Sequence, residues 1–235
     1  QFTDTLGDVN GVSRGIQNVA QLADETGRDL TVVTSTRFDV PDRPTVKNFK
    51  PMFARPMPKY PQLDAVLPPL TRMVRWAEKQ KPDVIHVSTP GLVGAVGVLA
   101  AKMMKCPIVG TYHTDFPSYI DKLFDDYGLT KATELYMKVF YGGFARVFSR
   151  SDQFRDEMLR VGIGDEKMMT LQSGIDLRAF GTGFKDQSIW EKLGVDTAAE
   201  ARDGTGGVKV LYCGRVSIEK NLPVVTRMWR RAADL

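Results

Sequence analysis

Only two cysteines and two histidines occur in 235 residues, too few for a disulfide-stapled fold or a histidine- and cysteine-ligated zinc centre. Cys106 and Cys213 each lie in or beside an apolar, strand-like run, which predicts reduced core thiols in a reducing, cytoplasmic compartment. No run approaches 18 apolar residues, and the amino-terminal stretch lacks the charged and apolar regions of a secretion signal. From both absences no membrane-spanning helix is expected, and membrane contact, if any, is expected to be peripheral, at the inner membrane face. Neither Gly-x-Gly-x-x-Gly nor Gly-x-x-x-x-Gly-Lys-Ser/Thr is present, so dinucleotide and ATP-loop readings lose their usual basis. No Asp-x-Asp pair is present, which argues against a protein-bound divalent metal.

What is present describes a globular protein. The hydrophobic fraction is 43% and the charged fraction 26%, enough to bury a substantial core. The net charge of +4 suits anionic small molecules or acidic lipid headgroups. Lysine and arginine are scattered without interleaved aromatics, so nothing points to nucleic acid.

The order of elements is legible from periodicity. Gln1–Thr3 reads as the tail of a strand. Apolar residues at Val12, Ile16, Val19, Ala20 and Ala23 then follow helical spacing to Thr26, with Gly27 placed to close the helix. Strands are expected at Leu30–Thr34, Val84–Val87, Pro107–Thr111, Ala145–Phe148 and Lys167–Leu171. Helices are expected at 70–81, from Thr89-Pro90-Gly91 through Met104 with Thr89 as cap, at Leu129–Tyr141, and from Ser151 to Gly162. Gly94, Ala95, Gly97, Ala100 and Ala101 let the second of these lie close to its sheet. The proline-rich stretch Phe38–Pro69 predicts a surface excursion with short edge strands. This alternation requires crossover connections, and the economical architecture is α/β with a doubly wound parallel sheet. A helical patch at Ile189–Leu193 interrupts a Gly-, Asp- and Thr-rich stretch. A strand at Val208–Cys213 then opens a second series. The expected division is a Rossmann-like domain over 1–176, followed by a linker and the beginning of a second such domain over 177–235.

In open parallel sheets ligands gather beyond the carboxyl ends of the strands, and three such loops carry unusual residues. In Asp8-Val9-Asn10-Gly11-Val12-Ser13, Gly11 stands at a helix mouth where amides can face a phosphate; the alternative is a tight Asn-Gly turn with Ser13 as cap. In Thr111-Tyr112-His113-Thr114-Asp115-Phe116, His113 can donate to a sugar hydroxyl or meet developing charge, with Asp115 orienting it or accepting from a substrate hydroxyl. The alternative is a satisfied structural histidine, which is the reading for His86 inside its strand. In Gly214-Arg215-Val216-Ser217-Ile218-Glu219-Lys220-Asn221, Arg215 and Lys220 offer a planar donor fork and an ammonium to a diphosphate, with Asn221 capping the helix that holds Pro223. The alternative is a solvated charged loop.

Taken together, Asp8–Ser13, Gly110–Tyr119 and Gly214–Asn221 resemble the retaining, nucleotide-sugar-dependent glycosyltransferases of family 4, which have the GT-B fold of two facing Rossmann-like domains. Ser151–Gly162 and Gln172-Ser173-Gly174-Ile175-Asp176 resemble runs of that family as well. The resemblance implies a nucleoside-diphosphate sugar as donor, a lipid or saccharide hydroxyl as acceptor, and no cofactor or metal. It implies that Gly11 approaches the donor, His113 contacts the transferred sugar, and Arg215 with Lys220 neutralises the leaving diphosphate. Asp115 and Tyr119 are the candidate acceptor contacts. The Asn-Gly-Val-Ser and Tyr-His-Thr-Asp-Phe-Pro spellings look most like mannosyl- and sulfoquinovosyltransferases. The family's glutamate pair of the second domain does not occur before Leu235, so this polypeptide is expected to be incomplete and inactive alone. A nucleotide-sugar epimerase or hydrolase of the same architecture, and a non-catalytic sugar- or headgroup-binding module, are the alternatives.

Overall fold

A computed structural model describes residues 1–57, 60–171, 174, 177, 183, 188–194, 211–214, 216 and 220–233. The chain divides into two compact units, 1–174 and 175–235.

The first unit is organised by one parallel sheet. Its strands are β1 (Val32–Thr34), β2 (Val46–Asn48), β5 (Ile85–Val87), β6 (Ile108–Tyr112), β7 (Arg146–Ser149) and β8 (Met168–Thr170). β1 pairs with β2, and β5, β6, β7 and β8 pair in that order, all parallel. Gln1–Thr3 closes the gap between the two groups. Phe2 bridges both Val33 and Val87, its amide donates to the His86 carbonyl at 2.7 Å, and the Ser88 amide donates to its carbonyl at 2.8 Å. The expected strand tail is therefore the centre of the sheet, and the strand order reverses between it and β5. That reversal is the topological switch point, outside which open α/β sheets hold their ligands.

Six helices belong to this unit: α1 (Gly11–Thr26), α2 (Leu70–Gln80), α3 (Leu92–Met104), α4 (Phe116–Phe124), α5 (Tyr127–Gly142) and α6 (Gln153–Arg160). Right-handed crossovers put α1 on one face and the others on the opposite one, and the core divides accordingly. Leu6, Ile16, Ala20 and Val32 form one cluster. Phe2, Val33, Met73, Val96, Tyr141 and Met158 belong to the other. Adjacent Val32 and Val33 fall in different clusters because a strand alternates its side chains. The small residues of α3 act as expected: a methyl group at Gly94 would lie 1.9 Å from the Thr89 carbonyl oxygen, and one at Gly97 2.8 Å from the Phe2 ring.

Several expectations are corrected. The proline-rich excursion is an antiparallel hairpin, β3 (Phe53–Met57) with β4 (Tyr60–Leu67), its register shifting at Pro56/Met57. Prolines are tolerated there because each strand of a two-stranded ribbon has an unpaired edge. Thr89 does not cap α3. Gly91 holds the cap position without a side-chain hydrogen bond, and Asp4 supplies the acceptors from across the switch point. Ser13 does not cap α1 either; the Asn10 side chain accepts from the Ser13 amide at 2.8 Å. The helix α4 has no counterpart in the sequence reading, because Pro117 and a mixed polar pattern hid it. Cys106 is half-buried and Cys213 exposed, both free thiols, rather than two core cysteines.

In the second unit, α7 spans Ser188–Lys192 and α8 spans Leu222–Ala233. Of the expected strand Val208–Cys213, residues 208–210 lie outside the described residues and Leu211–Cys213 form no strand. Asn221 precedes α8 with φ 48° and its carbonyl accepts from the Val224 amide at 2.9 Å.

Candidate functional site

The loops at the carboxyl edge of the first unit's sheet are pinned by short-range chemistry. Gly11 opens α1, and its substitution site is open: a methyl group there would meet nothing within 4 Å. No acidic residue occupies the first turn, so the positive end of the helix dipole is unopposed by its own side chains. The sequence Gly11-Val12-Ser13-Arg14-Gly15 also spells the Gly-x-Ser-x-Gly of serine hydrolases. Ser13 is nevertheless 1% exposed and its hydroxyl donates to the Leu6 carbonyl at 2.6 Å. It is a packed helix residue and not a nucleophile.

His113 follows the last residue of β6. Its Nδ1 is buried and has no hydrogen-bond partner among the described residues. Burial first, then the nearby charge of Arg150, pulls its pKa from 6.5 down to about 4. The imidazole is therefore neutral at pH 7, with one ring nitrogen uncommitted. A neutral ring of this kind can donate to, or accept from, a sugar hydroxyl. His86 contrasts with it. Its Nε2 lies 2.8 Å from the Thr111 hydroxyl, and burial pushes its pKa down to about 3, so it is the satisfied structural histidine that the sequence predicts.

Asp115 is placed differently from the orienting role considered for it. Its carboxylate caps α4 through the Ser118 amide at 3.5 Å, accepts from the Tyr112 hydroxyl at 3.3 Å, and pairs with Arg160 at 3.1 Å. Arg160 also reaches Glu134 and Glu157, tying α4, α5 and α6 together. Tyr119 lies in α4, its amide bonded to the Asp115 carbonyl at 3.0 Å. Lys220 belongs to the second unit, where it is exposed just before α8, and Arg215 lies outside the described residues. Within the first unit, then, Gly11, His113 and Asp115 share the carboxyl edge of one sheet, with Tyr119 one turn into α4.

Three further residues escaped the sequence reading. Asp4, one position beyond the central strand, accepts from the Val93 amide at 2.7 Å, the Gly94 amide at 3.2 Å and the Thr89 hydroxyl at 2.7 Å. Arg150 follows β7, and Arg160 ends α6. The available signal was position alone: Asp4 and Arg150 are charged residues immediately past strand ends. Among the described residues no three His, Cys, Asp or Glu side chains gather as a metal site, and no helix is long and apolar enough to cross a membrane.

A parallel sheet with a strand-order reversal, flanked by helices on both faces and carrying its polar residues at the carboxyl edge, defines a Rossmann-like α/β domain. The fold matches that of Anabaena HepE, whose crystal structure holds UDP and glucose, with a TM-score of 0.55 at 15% identity over 82% of this chain and 49% of that one. Residues 9–179 match the model of Glycosyltransferase Family 4, and the chain belongs to that family. It is 25% identical over 218 residues to the sulfoquinovosyl transferase SQD2 of Arabidopsis thaliana, covering 92% of this chain and 41% of the relative. It is 22% identical over 223 residues to a GDP-mannose-dependent alpha-mannosyltransferase of Corynebacterium glutamicum, covering 92% of this chain and 50% of the relative. The chain thus spans half or less of the length of these relatives.

Proposed function

We propose that this chain is the first domain, with the opening of the second, of a glycosyltransferase that moves a hexose from a nucleoside-diphosphate sugar to a hydroxyl of a lipid or saccharide, with retention at the anomeric carbon. The observation that carries the reading is the uncommitted Nδ1 of His113, buried at the strand edge that also carries the open mouth of α1. A buried polar atom without a partner is costly, and a sugar hydroxyl or ring oxygen is the partner this edge is suited to receive.

In the reaction, Gly11 lets the donor diphosphate approach the α1 amides, where the helix dipole favours negative charge. His113 donates to the migrating sugar, and its neutral state avoids repelling the positive charge that builds on the anomeric carbon. Arg215 and Lys220 neutralise the departing diphosphate, a task that cations perform without metal. The acceptor hydroxyl attacks the face the leaving group departs from, passing its proton to the leaving diphosphate. Asp115 and Tyr119 flank the acceptor side through α4. The expected setting is cytoplasmic, with peripheral contact at the inner membrane face when the acceptor is a lipid.

The test is a screen of nucleotide sugars against the full-length protein, followed by His113→Ala. Loss of turnover by about a hundredfold or more is expected for a group acting on transition-state charge. Substitution of Arg215 and Lys220 is expected to weaken nucleoside-diphosphate binding in calorimetry. Sugar release or epimerisation with no transfer to any acceptor would overturn the reading.

A further inference from the structure

Arg150 has no assigned task, yet its surroundings are specific. The parallel pairing of β6 with β7 aligns Tyr112 with Ser149, so the residues one step further on, His113 and Arg150, emerge side by side at the sheet edge. Tyr112 packs into the core against Tyr141, and strand alternation turns the next residue toward the α1 face. Arg150 follows the same direction. Its guanidinium reaches α1, where a methyl group added at Gly15 would stand 2.9 Å from Nη2. Gly15 is one turn beyond Gly11, and residues four apart share a helix face. The guanidinium therefore lies along a two-glycine strip that leads to the open end of α1.

Among the described residues Arg150 forms no ion pair, as is also the case for Arg14, Arg28, Arg72, Arg75 and Arg146. An unpaired guanidinium with a flat donor fork, a neighbouring imidazole nitrogen without a partner and a stretch of helix with no side chains in the way make a receptor for a tetrahedral oxyanion. Arg150 is exposed to solvent, with Gly15 beneath its guanidinium and the half-buried His113 imidazole beside it.

We propose that Arg150 is an anion-binding residue of the glycosyltransferase site, holding a phosphate-type oxyanion between its guanidinium, Gly15 and His113; this rests on the glycosyltransferase reading. The oxyanion belongs either to the donor diphosphate or to a phosphate on the acceptor. Charge on the donor would be stabilised as the leaving group departs. Charge on the acceptor would be a matter of specificity.

The experiment uses full-length protein with Arg150→Gln, Arg150→Lys and Gly15→Leu, the last displacing the guanidinium while keeping its charge. Calorimetry with uridine and guanosine diphosphate forms one arm. Cosedimentation with phosphatidylglycerol against phosphatidylcholine vesicles forms the other. In each variant the His113 imidazole resonance, assigned by its loss in His113→Gln, is followed during addition of inorganic pyrophosphate. Arg150→Gln is expected to weaken the affected ligand about tenfold, as for a lost charge-assisted hydrogen bond. Gly15→Leu is expected to do the same, Arg150→Lys to recover part of the loss, and the His113 response to pyrophosphate to shrink. Weakening in the nucleotide arm places the oxyanion on the donor; weakening in the vesicle arm places it on the acceptor. Wild-type affinity in both arms for Arg150→Gln overturns the role of Arg150 alone. Wild-type protein that takes up neither ligand and transfers no sugar overturns the glycosyltransferase reading itself.

Discussion

The carboxylate of Asp4 accepts a hydrogen bond from the backbone amide of Val93 at 2.7 Å, across 89 residues of sequence. This one contact joins the end of the central strand to the start of α3, on opposite sides of the switch point. It also fills the positive end of that helix with a protein carboxylate, whereas the first turn of α1 carries no acidic residue. Gly91 is required for the contact, because a methyl group there would sit 2.4 Å from the Asp4 carboxyl carbon.

Asp4→Ala is expected to destabilise the chain by about 1–3 kcal/mol, the cost of a lost cap together with stranded amides, read from chemical denaturation. Asp4→Asn keeps part of the hydrogen bonding and should cost less. Burial raises the Asp4 carboxyl above its ordinary value, against the pull of the hydrogen bonds it accepts. The folded state therefore holds this proton more tightly than the unfolded one. Its stabilising contribution is complete below pH 3.8 and lost as pH rises through the raised value. Asp4→Asn should remove that dependence, and an unchanged profile would show that Asp4 does not titrate this way.

The histidines act with the opposite sign. His113 is held at about 4 and His86 at about 3, both below the ordinary 6.5. The unfolded chain takes up these protons first, so the stability they confer is intact above pH 6.5 and declines as pH falls toward 4. Following the imidazole signals by NMR should show both rings neutral from pH 8 to 5.5. Comparison of denaturation midpoints with His113→Gln should show a shallower loss on acidification in the variant. A His113 transition near 6.5 would contradict the buried, uncommitted ring.

Arg160 links Asp115, Glu134 and Glu157 from a half-exposed position. Exposed ion pairs contribute little individually, and Arg160→Ala is expected to cost about 1 kcal/mol, diminishing as salt is raised. Because α4 is capped by Asp115, the variant should also raise amide exchange in Phe116–Phe124 relative to α3. Equal exchange in both helices would show that Arg160 is peripheral to α4.

Glycine substitutions in α3 should divide by what lies opposite. At Gly94 a methyl group meets the fixed Thr89 carbonyl oxygen at 1.9 Å, and at Gly97 the buried Phe2 ring at 2.8 Å. Overpacking of this kind costs about 1–3 kcal/mol or more, with Gly94→Ala the worse because backbone cannot swing aside. Gly11→Ala, with open space around it, should leave stability unchanged or slightly improved through helix propensity. Thermal denaturation of the three variants gives the ranking directly.

The amino-acid sequence by itself determined the alternation of strands and helices, the closure of α1 at Gly27 (φ 63°), the close approach of α3 through Gly94 and Gly97, and the structural nature of His86. These follow from local periodicity, residue size and turn chemistry, which neighbours in sequence are enough to specify. It also carried the family, through short runs whose order is retained along the chain. Tertiary structure alone decided that Gln1–Thr3 is the middle of the sheet, that Asp4 rather than Thr89 caps α3, that Asp115 is held by Arg160, and that Arg150 stands beside His113 over Gly15. Each of those is a meeting of residues 30 to 135 positions apart, fixed by strand order and register, and no local pattern encodes which strand ends become neighbours.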